Sequence, residues 1–210
     1  MPRTRIKICG IRDAETALVA GDCGADAIGL VFVRSSPRFI EPEDAYEIMA
    51  NLPPLVSSVG VFMNHSLDAF SDIEETCPTT LSQLHGNEDE KLVRRCGPGV
   101  IRGIRYDAAT IATDLARWEA LDEVDAILVD GSAGGEGQAF DWSGLAAAVE
   151  DVSKPIFLAG GLTPENVGDA IRAVRPYAVD VSSGVEREKG VKDPALIEAF
   201  CEAVRRADAS

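Results

Sequence analysis

Short apolar runs of five to seven residues recur along the chain between charged or turn-forming stretches. They are Arg5–Cys9, Ala27–Val33, Val56–Phe62, Thr80–His85, Val100–Tyr106, Ala126–Asp130, Pro155–Ala159 and Ala178–Ser182. Runs of that length between turn signals predict buried strands. The segments between them open with helix-starting signals. Asp13 precedes Ala14–Cys23, Glu41-Pro42-Glu43-Asp44 opens the second, Ser66 the third, and Asn87-Glu88-Asp89-Glu90 the fourth. Asp141, Thr163-Pro164-Glu165 and Asp193-Pro194 open the sixth, seventh and eighth, with a fifth helix around Thr110–Leu121. Oxygens at such positions satisfy the first amides, and acidic groups complement the helix dipole. Eight strand–helix units in 210 residues predict an eight-stranded parallel (β/α)8 TIM barrel, because that fold's size range begins near ~200 residues. No Pro/Gly/Ser-rich linker divides it, so one domain over 1–210 is expected.

Alternation along Ile6-Lys7-Ile8-Cys9-Gly10 puts Ile6 and Ile8 on one face of the first strand and Lys7 and Cys9 on the other. In a parallel barrel these are the helix side and the interior. Cys9 then sits at the carboxyl end, where barrel enzymes assemble their sites.

Composition narrows the class. Hydrophobic residues make up 46% of the chain, and no run approaches the ~18 apolar residues of a membrane span. Met1-Pro2-Arg3-Thr4 leads straight into the first strand without a signal core or amphipathic transit segment, so a cytoplasmic protein is expected. Five cysteines, Cys9, Cys23, Cys77, Cys96 and Cys201, are odd in number and lack CxxC spacing. That argues against a disulfide framework or a zinc site. Apart from Cys9 they lie in or at the ends of helical segments, as small buried hydrophobes.

Charge is the unusual quantity. Asp and Glu total 35 against 20 Lys and Arg, a formal net charge of −15, and only five of the basic residues are lysines. Such a surface does not neutralise nucleic-acid phosphates. It suits either an ordinary acidic surface or a salt-rich host, where self-repulsion is screened; the scarcity of lysine fits the salt-rich host, which is the expectation here.

The strand ends carry the chemistry. Ser36-Pro37-Arg38-Phe39-Ile40 follows the second strand and Gln83-Leu84-His85-Gly86 ends the fourth. The sixth ends in Val129-Asp130, before a Gly134-Gly135-Glu136-Gly137 loop and Phe140-Asp141-Trp142. The seventh ends in Ala159-Gly160-Gly161-Leu162, then Pro164-Glu165-Asn166-Val167, and the eighth carries Asp180-Val181-Ser182-Ser183-Gly184-Val185-Glu186. Together with Lys7-Ile8-Cys9-Gly10-Ile11, these motifs resemble, in order and over essentially the whole chain, the phosphoribosylanthranilate isomerase family of tryptophan synthesis.

Gly160, Gly161, Ser182, Ser183 and Gly184 lie after strands seven and eight, the usual phosphate corner of such barrels. Glycines let amides approach phosphate oxygens, and hydroxyls add donors. Cys9 is the candidate general base. A free thiol is only a few per cent thiolate at neutral pH, so it needs a cation, and Lys7 is the one the sequence places beside it. Lys7 inside a barrel needs a counter-ion in turn, and Asp180, one inward step below Ser182 on the neighbouring strand, is the candidate. Asp130 is the candidate general acid, its proton retained by desolvation under the Gly134–Gly137 loop. The resemblance makes Arg38 the contact to the anthranilate carboxylate, with a rim ion pair as the other reading. His85 either donates to the substrate or braces its loop, and Trp142 packs in the core.

The reaction the resemblance implies is an Amadori rearrangement of N-(5-phosphoribosyl)anthranilate, needing no metal and no cofactor. The expected partner is that small-molecule substrate, with no nucleic acid and no membrane, and a monomer is the default state. The sequence departs from the family pattern at Glu136, where Thr or Ser is usual, and at Tyr177-Ala178-Val179, where a glycine is common. Two alternatives differ in class. A histidine-pathway sugar-phosphate isomerase on the same barrel pairs two aspartates, whereas strand one here ends in Cys9. A silent sugar-phosphate-binding barrel would have no use for Cys9 and Asp130 together.

Overall fold

Every expected apolar run forms a strand in the computed structural model, which describes residues 3–131 and 141–209. The parallel strands are β1 (Arg5–Cys9), β2 (Ala27–Val31), β3 (Ser57–Phe62), β4 (Leu81–Leu84), β5 (Val100–Arg105), β6 (Val124–Asp130), β7 (Ile156–Ala159) and β8 (Ala178–Val181). They close in sequence order, β8 returning to β1 with Lys7 opposite Asp180. Closure leaves no edge of the barrel unpaired.

The eight helices follow the strands: α1 (Ala14–Asp22), α2 (Pro42–Ala50), α3 (Leu67–Thr76), α4 (Glu90–Cys96), α5 (Ile111–Glu119), α6 (Trp142–Val149), α7 (Val167–Val174) and α8 (Pro194–Asp208). Asp13, Ser66, Asp89, Asp141 and Asp193 cap their helices by accepting from first-turn amides. The seventh helix differs from expectation. Asn166 rather than Thr163 is its N-terminal flank, and the Asn166 side chain accepts from the Thr163 amide and donates to Gly161 O.

Alternation sorts the core into two layers. Ile6, Ile8, Ile28, Leu30, Leu158 and Val179 face outward into the layer under the helices. Val59, Ile101, Ala126, Leu128, Phe157 and Ala178 fill the barrel interior. Full burial of each large aliphatic side chain is worth roughly 1.5–3 kcal/mol, and a one-residue register slip would exchange the two layers and lose the fit of both. Above the interior layer lie Cys9, Val31 and Val61, at the mouth.

After β8 the chain makes a 3-10 turn at Ser183–Val185 and then an antiparallel hairpin, β9 (Glu186–Glu188) with β10 (Val191–Lys192). The turn lies within the strand-eight motif, and the hairpin fills the stretch before the eighth helix, for which the sequence predicts no element. Cys23, Cys77, Cys96 and Cys201 sit in or at the ends of helices, as read. Among the described residues no helix is long and apolar enough to cross a membrane.

Candidate active site

Cys9 ends the inner face of β1, and its space is reserved from the neighbouring strand. Gly29 is its register partner on β2, and a Cβ there would stand 2.7 Å from the Cys9 sulfur. One inward step below, Lys7 is completely buried and its ammonium lies 2.8 Å from Asp180 Oδ1. Burial disfavours that ammonium, but Asp180 and the Cys9 sulfur outweigh it, holding Lys7 above its ordinary pKa and charged.

Lys192, from β10, is a second cation at the thiol. Its Nζ donates to Ser182 O at 2.8 Å and to Glu186 Oε1 at 2.8 Å. The expectation that Lys7 alone serves Cys9 is corrected by this residue. Eleven positions separate Lys192 from the last strand residue, and only the hairpin brings it back. Burial pushes the Cys9 thiol up and Asp180 adds to that, while Lys7 and Lys192 pull it down; the net direction is upward, so the resting group is a thiol. Ser182 Oγ donates to Cys9 O at 3.2 Å, tying β8 to the end of β1.

Arg38 is buried beside the thiol. Gly10 has φ +83, and a Cβ on it would lie 2.6 Å from Arg38 Cδ, so the glycine after Cys9 is what admits the arginine stem. The guanidinium donates through Nε and Nη2 to the two oxygens of Glu186, at 2.6 and 2.9 Å. Burial opposes the Glu186 charge, but Arg38, Lys192 and the Gly190 amide outweigh it and hold the carboxyl down at about 2.

Asp130 ends the inner face of β6, three strands around the ring from β1 by way of β8 and β7. Gly160 makes room for it: a Cβ there would be 2.6 Å from Asp130 Oδ1. His85 Nε2 lies 3.5 Å from Asp130 Oδ2, and its Nδ1 lies 2.8 Å from the Gln83 amide nitrogen. The ring rests on Gly103, whose absent Cβ would come within 2.6 Å of Nδ1. Its loop is braced from behind. The buried Arg102 donates to Leu84 O and Gly86 O and pairs with Glu88, which also accepts from the Gly86 amide. A cavity of about 750 Å³ runs from Asp130 and His85 past Arg105 toward Trp118.

The phosphate-corner candidates converge as read. Gly160 and Gly161 have φ of +93 and +66, conformations glycine adopts without strain. Gly184 sits so close to the β7 loop that a Cβ would lie 1.8 Å from Leu162 O, and Ser183 opens the turn beside it.

Cys9, Asp130, Arg38, His85, Gly160, Gly161, Asp180, Ser182, Ser183 and Gly184 thus all gather at the carboxyl ends of the strands or one step below. Asp180 and Ser182 are engaged with protein groups, as the Lys7 counter-ion and the Cys9 brace. Glu136 and the Gly134–Gly137 loop lie outside the described residues. The reading of the sequence missed Gly29, Gln83, Gly103, Glu186 and Lys192. For Gly29 and Gly103 a signal existed, a glycine inside a strand, and Gln83 and Glu186 stand in the motifs quoted for strands four and eight; Lys192 had none. Trp142 packs against the core, as expected. Among the described residues no three His, Cys, Asp or Glu side chains are grouped to hold a metal.

Comparisons with known proteins point to one family. A family profile described as N-(5'-phosphoribosyl)anthranilate (PRA) isomerase matches residues 6–203. A curated protein of that name from Pseudomonas fluorescens is 48% identical with 100% of both chains covered, and one from Moorella thermoacetica is 48% identical over 97% of this chain and 91% of its own. The crystal structure of phosphoribosyl anthranilate isomerase from Thermotoga maritima superposes with a TM-score of 0.88 at 40% identity, covering 97% of this chain and 99% of that one. A structure of such an isomerase in complex with reduced 1-(o-carboxyphenylamino)-1-deoxyribulose 5-phosphate gives a TM-score of 0.84 at 40% identity, with the same coverage.

Proposed function

The chain belongs to the N-(5'-phosphoribosyl)anthranilate isomerase family, and from that membership we propose how its barrel mouth carries out the reaction. It is an isomerase of tryptophan biosynthesis, converting N-(5-phosphoribosyl)anthranilate to 1-(o-carboxyphenylamino)-1-deoxyribulose 5-phosphate.

Asp130 gives its proton to the ribose ring oxygen as the C1′–O bond breaks, leaving a Schiff base between C1′ and the anthranilate nitrogen. Cys9, as the thiolate that Lys7 and Lys192 favour, removes the C2′ proton to become the thiol, and the pair of electrons closes to an enolamine. Loss of the enol proton and protonation of C1′ yield the ketone, so the product is an isomer of the substrate and no electrons are exchanged with any other molecule. Phosphate rests on Gly160, Gly161, Ser183 and Gly184, and the anthranilate carboxylate meets Arg38, with His85 beside the acid.

The observation that carries this reading is the pair of reserved spaces. Gly29 leaves room for the Cys9 sulfur and Gly160 for the Asp130 carboxylate, on inner faces three strands apart. General acid–base catalysis needs both groups within reach of one substrate, and removing either costs about 10²–10⁴ in rate. The test follows the loss of substrate fluorescence with phosphoribosylanthranilate made in situ. Cys9→Ala and Asp130→Ala are expected to lose at least about 10² in turnover while remaining folded; near-full turnover in either removes that residue from its role.

We also read the charge of −15 as salt adaptation. A doubly anionic substrate approaches against a field that reaches ~30 Å at 0.01 M salt and ~3 Å at 1 M. Melting temperature and kcat/KM should therefore rise with KCl, and flat curves would reduce the acidic balance to solubility.

A further inference from the structure

Arg38 has two edges that can grip a carboxylate. One runs along Nε and Nη2, the other across the two terminal nitrogens. Glu186 fills the first, at 2.6 and 2.9 Å. Nη1 has no partner among the described residues, yet it is not one of the buried unpartnered atoms, so it reaches solvent. The Arg38 stem lies on Gly10, directly after Cys9, which puts that remaining edge at the mouth.

Glu186 is itself held on every side. Lys192 Nζ stands 2.8 Å from Oε1 and the Gly190 amide 3.2 Å from Oε2, and only 4% of the Glu186 side chain is exposed. Lys192 is anchored in turn to Ser182. The hairpin therefore delivers a carboxylate that cannot swing away from Arg38.

We infer that Glu186 is a positioning residue: it grips Arg38 side-on so that the terminal edge of the guanidinium is presented, already oriented, to the carboxylate of the anthranilate ring. The inference rests on the reading of Arg38 as the carboxylate contact. A free arginine loses rotamer freedom on binding, and one held beforehand binds with less loss. Charge alone predicts the opposite effect of Glu186. Arg38, Lys192 and Glu186 sum to one positive charge, and removing the carboxylate would leave two for an incoming anion. A merely compensating Glu186 would thus weaken substrate binding, whereas a positioning one strengthens it.

The experiment measures Kd for two ligands: the product analogue reduced 1-(o-carboxyphenylamino)-1-deoxyribulose 5-phosphate, and its anilino counterpart lacking the carboxylate. In Glu186→Gln the carboxylate ligand is expected to bind roughly tenfold more weakly, the equivalent of ~1.4 kcal/mol, with the anilino ligand changed by less than about twofold. Glu186→Asp keeps the charge on a shorter arm and should show a smaller, equally selective loss, which also decides the matter if the glutamine variant does not fold. Equal or tighter binding of the carboxylate ligand in these variants overturns the inference. Arg38→Ala separates the premise: a loss shared equally by both ligands would overturn the Arg38 reading itself, while a selective loss there beside unchanged glutamate variants would sink only the role of Glu186.

Discussion

Lys7 and Asp180 form an ion pair inside the barrel, directly below the thiol of Cys9, with Nζ and Oδ1 2.8 Å apart on register-paired residues of β1 and β8. Only 1% and 9% of the two side chains are exposed. Two charges removed from water stabilise each other but contribute little net stability; breaking the pair is what costs.

Asp180→Asn should therefore destabilise the fold by about 3–5 kcal/mol, by leaving a buried ammonium uncompensated. The double variant Lys7→Met, Asp180→Leu should recover most of that loss without activity. Urea midpoints for the three proteins measure it. Because Lys7 is held above its ordinary value, the pair's contribution is present below the unfolded lysine pKa of about 10.4 and fades only as pH climbs through the folded one. In Asp180→Asn burial is no longer opposed by the carboxylate and lowers the Lys7 pKa, so the deficit should be largest at low pH and shrink as pH rises toward the unfolded lysine value of about 10.4.

Burial keeps Cys9 protonated at rest, and both lysines oppose it. Iodoacetamide should alkylate Cys9 slowly at neutral pH, with a rate still rising above pH 9. Lys192→Met should move that profile to higher pH, because one of the two charges favouring thiolate is gone. An unchanged profile would leave Lys192 with a structural role only.

Gly29 faces the Cys9 sulfur at a distance no Cβ can share. Gly29→Ala should displace the thiol and lower kcat by about 10², the cost of a misplacement near 1 Å. KM should change little, since the proposed phosphate and carboxylate contacts lie elsewhere. If kcat survives, the tight approach on β2 does not set the position of the base.

Glu186 gives the acid limb of stability. Its carboxyl drops from 4.5 to about 2 on folding, which is worth roughly 3 kcal/mol at neutral pH. A depressed carboxylate stabilises above its unfolded pKa and loses that contribution as pH falls toward the folded one. The wild-type protein should thus lose stability more steeply than Glu186→Gln between pH 4.5 and 2, as read by chemical denaturation at each pH.

Much of this protein is set by local chemistry that the sequence carries openly. Strand-length apolar runs and capping residues such as Asp13, Ser66 and Asp193 act within a few residues of where they stand, so element order and barrel closure follow from spacing alone. Alternation on β1 was enough to put Lys7 and Cys9 inside, and the same period on β8 identified Asp180 as the counter-ion. The tight turns at Gly160, Gly161 and Gly184 were legible because small residues stand at consecutive positions after strands seven and eight.

Tertiary structure decided what depends on two distant segments meeting. Glu186 and Arg38 are 148 positions apart, and the hairpin between β8 and α8 that joins them has no periodic signal in its seven residues. Lys192 reaches the thiol only because that hairpin turns back. Gly29 and Gly103 matter through atoms they lack, and what a missing Cβ makes room for is set by the neighbouring strand's register. The Cys9 pKa is likewise a sum over Lys7, Lys192, Asp180 and the depth of burial. Its sign could not be fixed by alternation, because desolvation belongs to the closed barrel and not to any one strand.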